Sequence, residues 1–86
     1  MTRTVTIIGK PGCHLCDDAR DAVNRVIAGL GAAASVAVDE KSILDDPQLN
    51  ERYWEQIPVI LVDGEQHTFW RVDEARLAAA LTGETN

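Results

Sequence analysis

The chain opens on an alternating, β-branched run, Thr4-Val5-Thr6-Ile7-Ile8, which predicts a strand ending at Gly9. Lys10-Pro11-Gly12 breaks that strand. From Cys13 onward a helix is expected, because apolar residues fall at Ala19, Ala22, Val23, Val26, Ile27 and Leu30, the spacing of a one-sided helix. Its other face carries Asp17, Asp18, Arg20, Asp21, Asn24 and Arg25, and Gly31 supplies a stop. Ser35-Val36-Ala37-Val38 predicts a second strand, closed by Asp39-Glu40. Asp46-Pro47 then offers an N-cap followed by a proline at the first helical position. Leu49 and Tyr53 share one face of the short helix this starts, with Tyr53 in the core and the adjacent Trp54 turned elsewhere, toward the rim of a site. That helix has to end before Ile57-Pro58, since proline restricts the residue ahead of it.

Val59-Ile60-Leu61-Val62 is apolar on both faces, the pattern of an internal strand covered on each side. Asp63-Gly64 is a tight-turn dipeptide, so Gln66 to Arg71 should return as an antiparallel strand, with His67 at its surface. Asp73 is the N-cap of a last helix, Val72 and Leu77 are spaced as its hydrophobic staple, and Gly83 lies beyond its end. The order β-α-β-α-β-β-α predicts an α/β fold: a small mixed sheet with helices on both faces. Its first βαβ unit should be parallel with a right-handed crossover. No repeat or linker divides the 86 residues, so a single domain over residues 1–86 is expected.

Composition narrows the partners. Apolar residues make up 45% and charged residues 26%, values of a globular chain rather than a disordered one. Eight Lys and Arg against fourteen Asp and Glu give a net charge of −6, and the basic residues are scattered singly. Nucleic acid and anionic membrane surfaces are thereby excluded, because affinity for them rests on clustered cations. Apolar runs such as Pro58 to Val62 fall far short of the ~20 residues that span a bilayer. The polar N-terminus lacks a small-residue cleavage site, so a cytoplasmic monomer is the expectation.

The two cysteines lie in one tetrapeptide, Cys13-His14-Leu15-Cys16. A bridge between them closes so short a loop that it barely constrains the unfolded chain, so they are placed for chemistry rather than for stapling. A Cys-x-x-Cys after a strand and at the opening of a helix has a physical rationale. The thiolate is the nucleophile, and the free amides and positive end of the helix dipole stabilise it at Cys13. Lowering a thiol pKa from ~8.5 to ~6.5 turns a few per cent of thiolate at neutral pH into most of the population. Lys10 is a candidate nearby cation, and Cys16, one turn on, can attack a mixed disulfide formed at Cys13. Asp17 and Asp18 work the other way, since negative charge disfavours a thiolate, although both also suit a helix N-terminus. His14 reads as a bystander that tunes the potential. A structural zinc site takes four ligands; the chain offers only the two cysteines, His14 between them and a distant His67, so no metal is expected.

These residues resemble the thioredoxin superfamily, in its glutaredoxin-like branch. Cys13-His14-Leu15-Cys16 matches the active-site position, and Ile57-Pro58 matches the proline that is cis throughout the superfamily. Further likeness to a little-characterised glutaredoxin-like subgroup lies in Cys13 to Ala19, Tyr53 to Val59, Asp63-Gly64 and Arg71-Val72, so the match spans about Val5 to Leu81. The resemblance implies a thioredoxin/glutaredoxin-like fold with a four-stranded sheet in the order 2-1-3-4. It implies Cys13 as attacking thiol, Cys16 as resolving thiol, a redox-active disulfide between them, and Ile57 as the residue whose backbone meets substrate beside cis Pro58. Glutathione-binding members usually have Thr-Val-Pro where this chain has Gln56-Ile57-Pro58, and Gly-Gly where it has Trp70-Arg71. Asp73-Glu74 stands where that family's acidic pair holds the glutathione amino group. Arg71 could hold a substrate carboxylate instead.

The expected activity is therefore thiol–disulfide oxidoreduction on a protein or low-molecular-weight disulfide. The electron donor stays open between glutathione, another small thiol and a reductase, and no other cofactor is expected. The alternative is a non-enzymatic redox-sensing or metal- or iron–sulfur-binding module on the same fold.

Overall fold

A computed structural model describes residues 3–31 and 35–82. Seven elements follow in order: β1 (Arg3–Gly9), α1 (His14–Leu30), β2 (Val36–Ser42), α2 (Pro47–Tyr53), β3 (Val59–Val62), β4 (Glu65–Phe69) and α3 (Glu74–Thr82). The four strands form one sheet in the order β2-β1-β3-β4. β2 pairs parallel to β1, while β1–β3 and β3–β4 are antiparallel. This is the mixed α/β sheet that the resemblance implied.

The alternation of β1 decides which helix covers which face. Val5 and Ile7 pack with Ala19, Val23 and Val26 of α1, Ile60 of β3, and Leu77 and Leu81 of α3. Ile8 points the other way and packs with Val59, Ile43 and Tyr53 of α2. Helices thus lie on both faces, and β1 and β3 carry two cores back to back. Val72 packs against the first core beside Leu77, as the staple requires, and Leu49 and Ile57 pack against the second.

Capping follows the sequence closely. Asp46 accepts the backbone N–H of Gln48 at 2.9 Å with Pro47 opening α2, and Asp73 accepts that of Arg76 at 3.1 Å ahead of α3. Asp63 and Gly64 have φ of 52° and 87°, the paired left-handed residues of a two-residue hairpin turn. The Asp63 carboxylate also accepts the Thr4 N–H (2.9 Å) and pairs with Arg3 (2.8 Å), tying the turn to the start of β1. The Thr4 N–H first, and Arg3 second, hold that carboxyl below the usual carboxylate range.

Three expectations need correcting. β2 does not stop at Asp39-Glu40 but runs to Ser42, paired to β1 as far as Gly9. It is an edge strand with nearly every side chain exposed, so charged residues fit it as well as apolar ones. β4 ends at Phe69, not Arg71, because Trp70 turns the chain away with φ of 65°. His67 is less exposed than expected: the β3–β4 register shifts between Ile60 and Leu61, leaving His67 at a bulge, half-buried. Burial, then the nearby Arg76, push its pKa down, with Asp73 opposing. Gly83 lies outside the described residues. No described helix is long and apolar enough to cross a membrane.

Candidate active site

β1 runs out at Gly9 and β3 begins at Val59, which pairs with Ile8. The antiparallel pairing puts the loop from Lys10 to Cys13 and the residue Pro58 at the same end of the sheet. That end carries the chemistry. Cys13 and Cys16 are joined as a disulfide, with their Cα atoms 5.2 Å apart.

The two sulfurs occupy unlike settings. Cys13 is the N-cap of α1, half-buried, and its Sγ accepts the Cys16 backbone N–H at 3.2 Å. Cys16 is 3% exposed, on the same buried stripe as Ala19, Val23 and Val26. One helical turn therefore converts an accessible cap into a core position. Asp17 donates its N–H to the Cys13 carbonyl, the first hydrogen bond of the helix (3.1 Å).

Asp17 does not face the thiols as a lone anion. Arg20 binds it at 3.1 Å and reaches Glu40 of β2 at 2.5 Å. An open cleft of about 310 Å³ lies on this side, lined among others by Gly9, Lys10, Cys16, Asp17, Arg20 and Glu40. Lys10 is exposed at its edge, and His14 is exposed as the first residue of α1.

A second open cleft, of about 300 Å³, lies between α1 and the segment leading to α3, lined by Leu15, Asp18, Trp70, Arg71 and neighbouring residues. Leu15 and Trp70 are 50% and 54% exposed beside it. Trp70 is held from three directions: its backbone N–H reaches the Pro58 carbonyl (2.8 Å) and the Gln56 carbonyl (3.3 Å), and its indole Nε1–H reaches the Glu55 carbonyl (2.8 Å). Phe69 meets the indole edge-on at 5.0 Å between centroids. Arg71 is exposed along this cleft. Trp54 is exposed after α2 but borders neither cleft.

The Ile57–Pro58 bond is cis, and Pro58 is fully buried. Ile57 donates its N–H to the Tyr53 carbonyl (3.1 Å), so of its two backbone groups the carbonyl is the one left to meet a ligand. Asp73 is occupied as the α3 cap, and Glu74 is held by Arg25 at 3.2 Å. Among the described residues, no three His, Cys, Asp or Glu side chains are grouped as metal ligands. Sequence reasoning missed Leu15, Arg20 and Gly9. Glycine closing a strand is the signal that could have found the last.

Residues 4–82 match the family model described as Glutaredoxin-like domain (DUF836), and the chain belongs to that glutaredoxin-like family. Among its relatives are the Mycobacterium tuberculosis protein Rv0508 and the Mycobacterium bovis protein Mb0520. Each is 29% identical over 82 residues, covering 94% of this chain and 84% of the relative. The X-ray structure of XcR50 from X. campestris is similar with a TM-score of 0.71 and 30% identity, covering 92% of this chain and 96% of that one. The solution structure of Ne2328 from Nitrosomonas europaea shares the fold at a TM-score of 0.70 and 22% identity, over 90% and 88% of the two chains.

Proposed function

We propose that the protein is a dithiol oxidoreductase in which Cys13 attacks a disulfide and Cys16 resolves the mixed disulfide. The observation that carries this is the asymmetry of the pair: a half-buried sulfur capping α1, bonded to a buried sulfur one turn on. The cap N–H and the helix dipole favour the Cys13 thiolate, while its exposure leaves it open to attack a substrate. Burial keeps Cys16 from external disulfides and reserves it for the bond to Cys13. Lys10 and His14 act on the site only as exposed neighbours.

The substrate is a protein disulfide or a small-molecule disulfide received beside Leu15 and Trp70, with Arg71 available to a carboxylate and the Ile57 carbonyl to a substrate amide. Several features argue against a glutathione cradle of the family's usual kind. Trp70 fills the place of a glycine, Asp73 caps α3 and Glu74 is paired with Arg25. Another small thiol or a reductase then serves as donor, and the singly scattered cations of a chain with net charge −6 argue against nucleic acid and anionic membrane surfaces as partners.

The test uses purified protein with an insulin-type disulfide and a glutathionylated thiol. Cys13→Ser should abolish reduction, and Cys16→Ser should trap a mixed disulfide on Cys13. Wild-type protein that reduces neither substrate overturns the reading. Stoichiometric zinc or iron–sulfur absorbance after anaerobic purification would support the binding-module alternative instead.

A further inference from the structure

We propose that Gly9 is a positioning residue for the resolving thiol, holding the Cys16 sulfur on its line to Cys13 by having no side chain. The inference rests on the dithiol reading above. Gly9 is buried at the end of β1, and a Cβ placed there would stand 2.7 Å from Cys16 Sγ and 3.1 Å from Cys16 Cβ. The first distance is shorter than any ordinary carbon–sulfur contact. Glycines at 12, 31 and 64 have positive φ and open space around them, so they serve the backbone. Gly9 has no such conformation to explain it. It serves a close approach.

The two redox states respond differently to added bulk at this point. In the disulfide, Cys16 Sγ is tied to Cys13 while its Cα is fixed in α1, so the sulfur has no freedom to step aside. In the dithiol, Cys16 can rotate about χ1, and the cleft that Gly9 and Cys16 share gives it room. A methyl group at residue 9 therefore penalises the disulfide more than the dithiol. It also obstructs resolution. In that step the Cys16 thiolate attacks Cys13 Sγ, the Cys13–Cys16 bond forms as the Cys13–substrate bond breaks, and the substrate sulfur leaves as a thiolate that takes a proton from water. Two electrons pass from the dithiol to the substrate disulfide.

Gly9→Ala is compared with wild type and with Gly29→Ala, a helical glycine whose added Cβ would meet nothing within 4 Å. In a dithiothreitol redox buffer, Gly9→Ala should shift the equilibrium toward the dithiol by about tenfold, equivalent to about 30 mV for a two-electron couple. With dithionitrobenzoate it should accumulate the Cys13 mixed disulfide, while the rate at which Cys13 is alkylated stays at the wild-type value. Gly29→Ala should match wild type in each. An unchanged equilibrium with unchanged resolution in Gly9→Ala overturns the proposal. Where Gly9→Ala weakens folding, a double-mutant cycle decides. The loss should shrink in a Cys16→Ala background, and an equal loss in both backgrounds overturns the proposal. A wild-type protein that never forms the disulfide sinks the oxidoreductase reading and this inference together. A cycling wild type beside an unaltered Gly9→Ala sinks the inference alone.

Discussion

The sulfur of Cys13 accepts the backbone N–H of Cys16 at 3.2 Å, so the nucleophile of the proposed reaction is also the N-cap of α1. Structure and chemistry share one atom. Cys13→Ser keeps a cap acceptor and Cys13→Ala removes it, so in the reduced state the alanine variant should be the less stable by about 0.5–2 kcal/mol. Urea denaturation of both variants under reducing conditions measures the difference. Equal midpoints would show that the cap contributes nothing.

Arg20 ties Asp17 to Glu40 and so neutralises part of the acidic charge beside the thiols. Both of its partners hold the guanidinium above its ordinary pKa, Glu40 more than Asp17. Arg20→Ala should slow alkylation of Cys13 at neutral pH, because Asp17 then acts on the thiolate uncompensated. Added salt should narrow the gap to wild type. Stability should change by no more than about 1 kcal/mol, as for other exposed pairs. A stability loss with unaltered alkylation would assign Arg20 to tethering β2 alone.

Trp70 takes a left-handed backbone conformation that glycine adopts freely. Trp70→Gly should consequently be more stable than Trp70→Ala by about 1 kcal/mol, although both lose the indole bond to Glu55. If the protein is the oxidoreductase proposed above, Trp70→Gly should also raise turnover with glutathione as donor severalfold, by vacating the space that the indole fills. Denaturation and a glutathione-coupled assay give the two readings. Unchanged glutathione turnover would place the barrier in the occupied Asp73 and Glu74 rather than in the indole.

How far each feature could be read in advance depended on whether it was local. The stripe from Ala19 to Val26, the Asp46-Pro47 start and the Asp63-Gly64 turn are each written within a few residues, and each appears as expected. The cysteine pair at a helix start is equally local. The start of β2 was legible in Val36-Ala37-Val38, but its second half escaped because an edge strand exposed on both faces leaves no apolar alternation in Asp39-Glu40-Lys41. Trp70 and the His67 bulge escaped because their conformations are imposed from elsewhere, by carbonyls of the 55–58 loop and by the β3 register. Gly9 depends on a contact with another element and shows only as a glycine.

His67 carries a pH signature. Burial and Arg76 lower its folded-state pKa below the ordinary value near 6.5, so the unfolded chain binds the proton more readily. Its contribution is fully present above the unfolded pKa and is lost as pH falls through that value toward the lower folded one. His67→Gln should flatten this part of the stability profile, measured as urea midpoints between neutral and mildly acidic pH. A profile of unchanged slope would assign the loss to other groups.

Leu77 is completely buried where α3 meets Val5, Ile7 and Ile60, whereas Leu44 is 68% exposed. Leu77→Ala should cost roughly 2–5 kcal/mol, the range for a buried leucine whose cavity relaxes only in part. Against the roughly 5–15 kcal/mol that holds a small domain together, that is a large fraction of the total. Leu44→Ala should stay within about 0.5 kcal/mol of wild type. The contrast bears on the thiols, because the core that Leu77 closes buries Ala19, Val23 and Val26 of α1, the helix whose first turn carries the buried Cys16. In Leu77→Ala, partial opening should make Cys16 accessible to alkylating reagents in the reduced protein, while Cys13 reacts at its usual rate. Mass spectrometry after brief alkylation distinguishes the two sites. Continued protection of Cys16 in a destabilised Leu77→Ala would show that its burial is maintained locally by Gly9 and the end of β1.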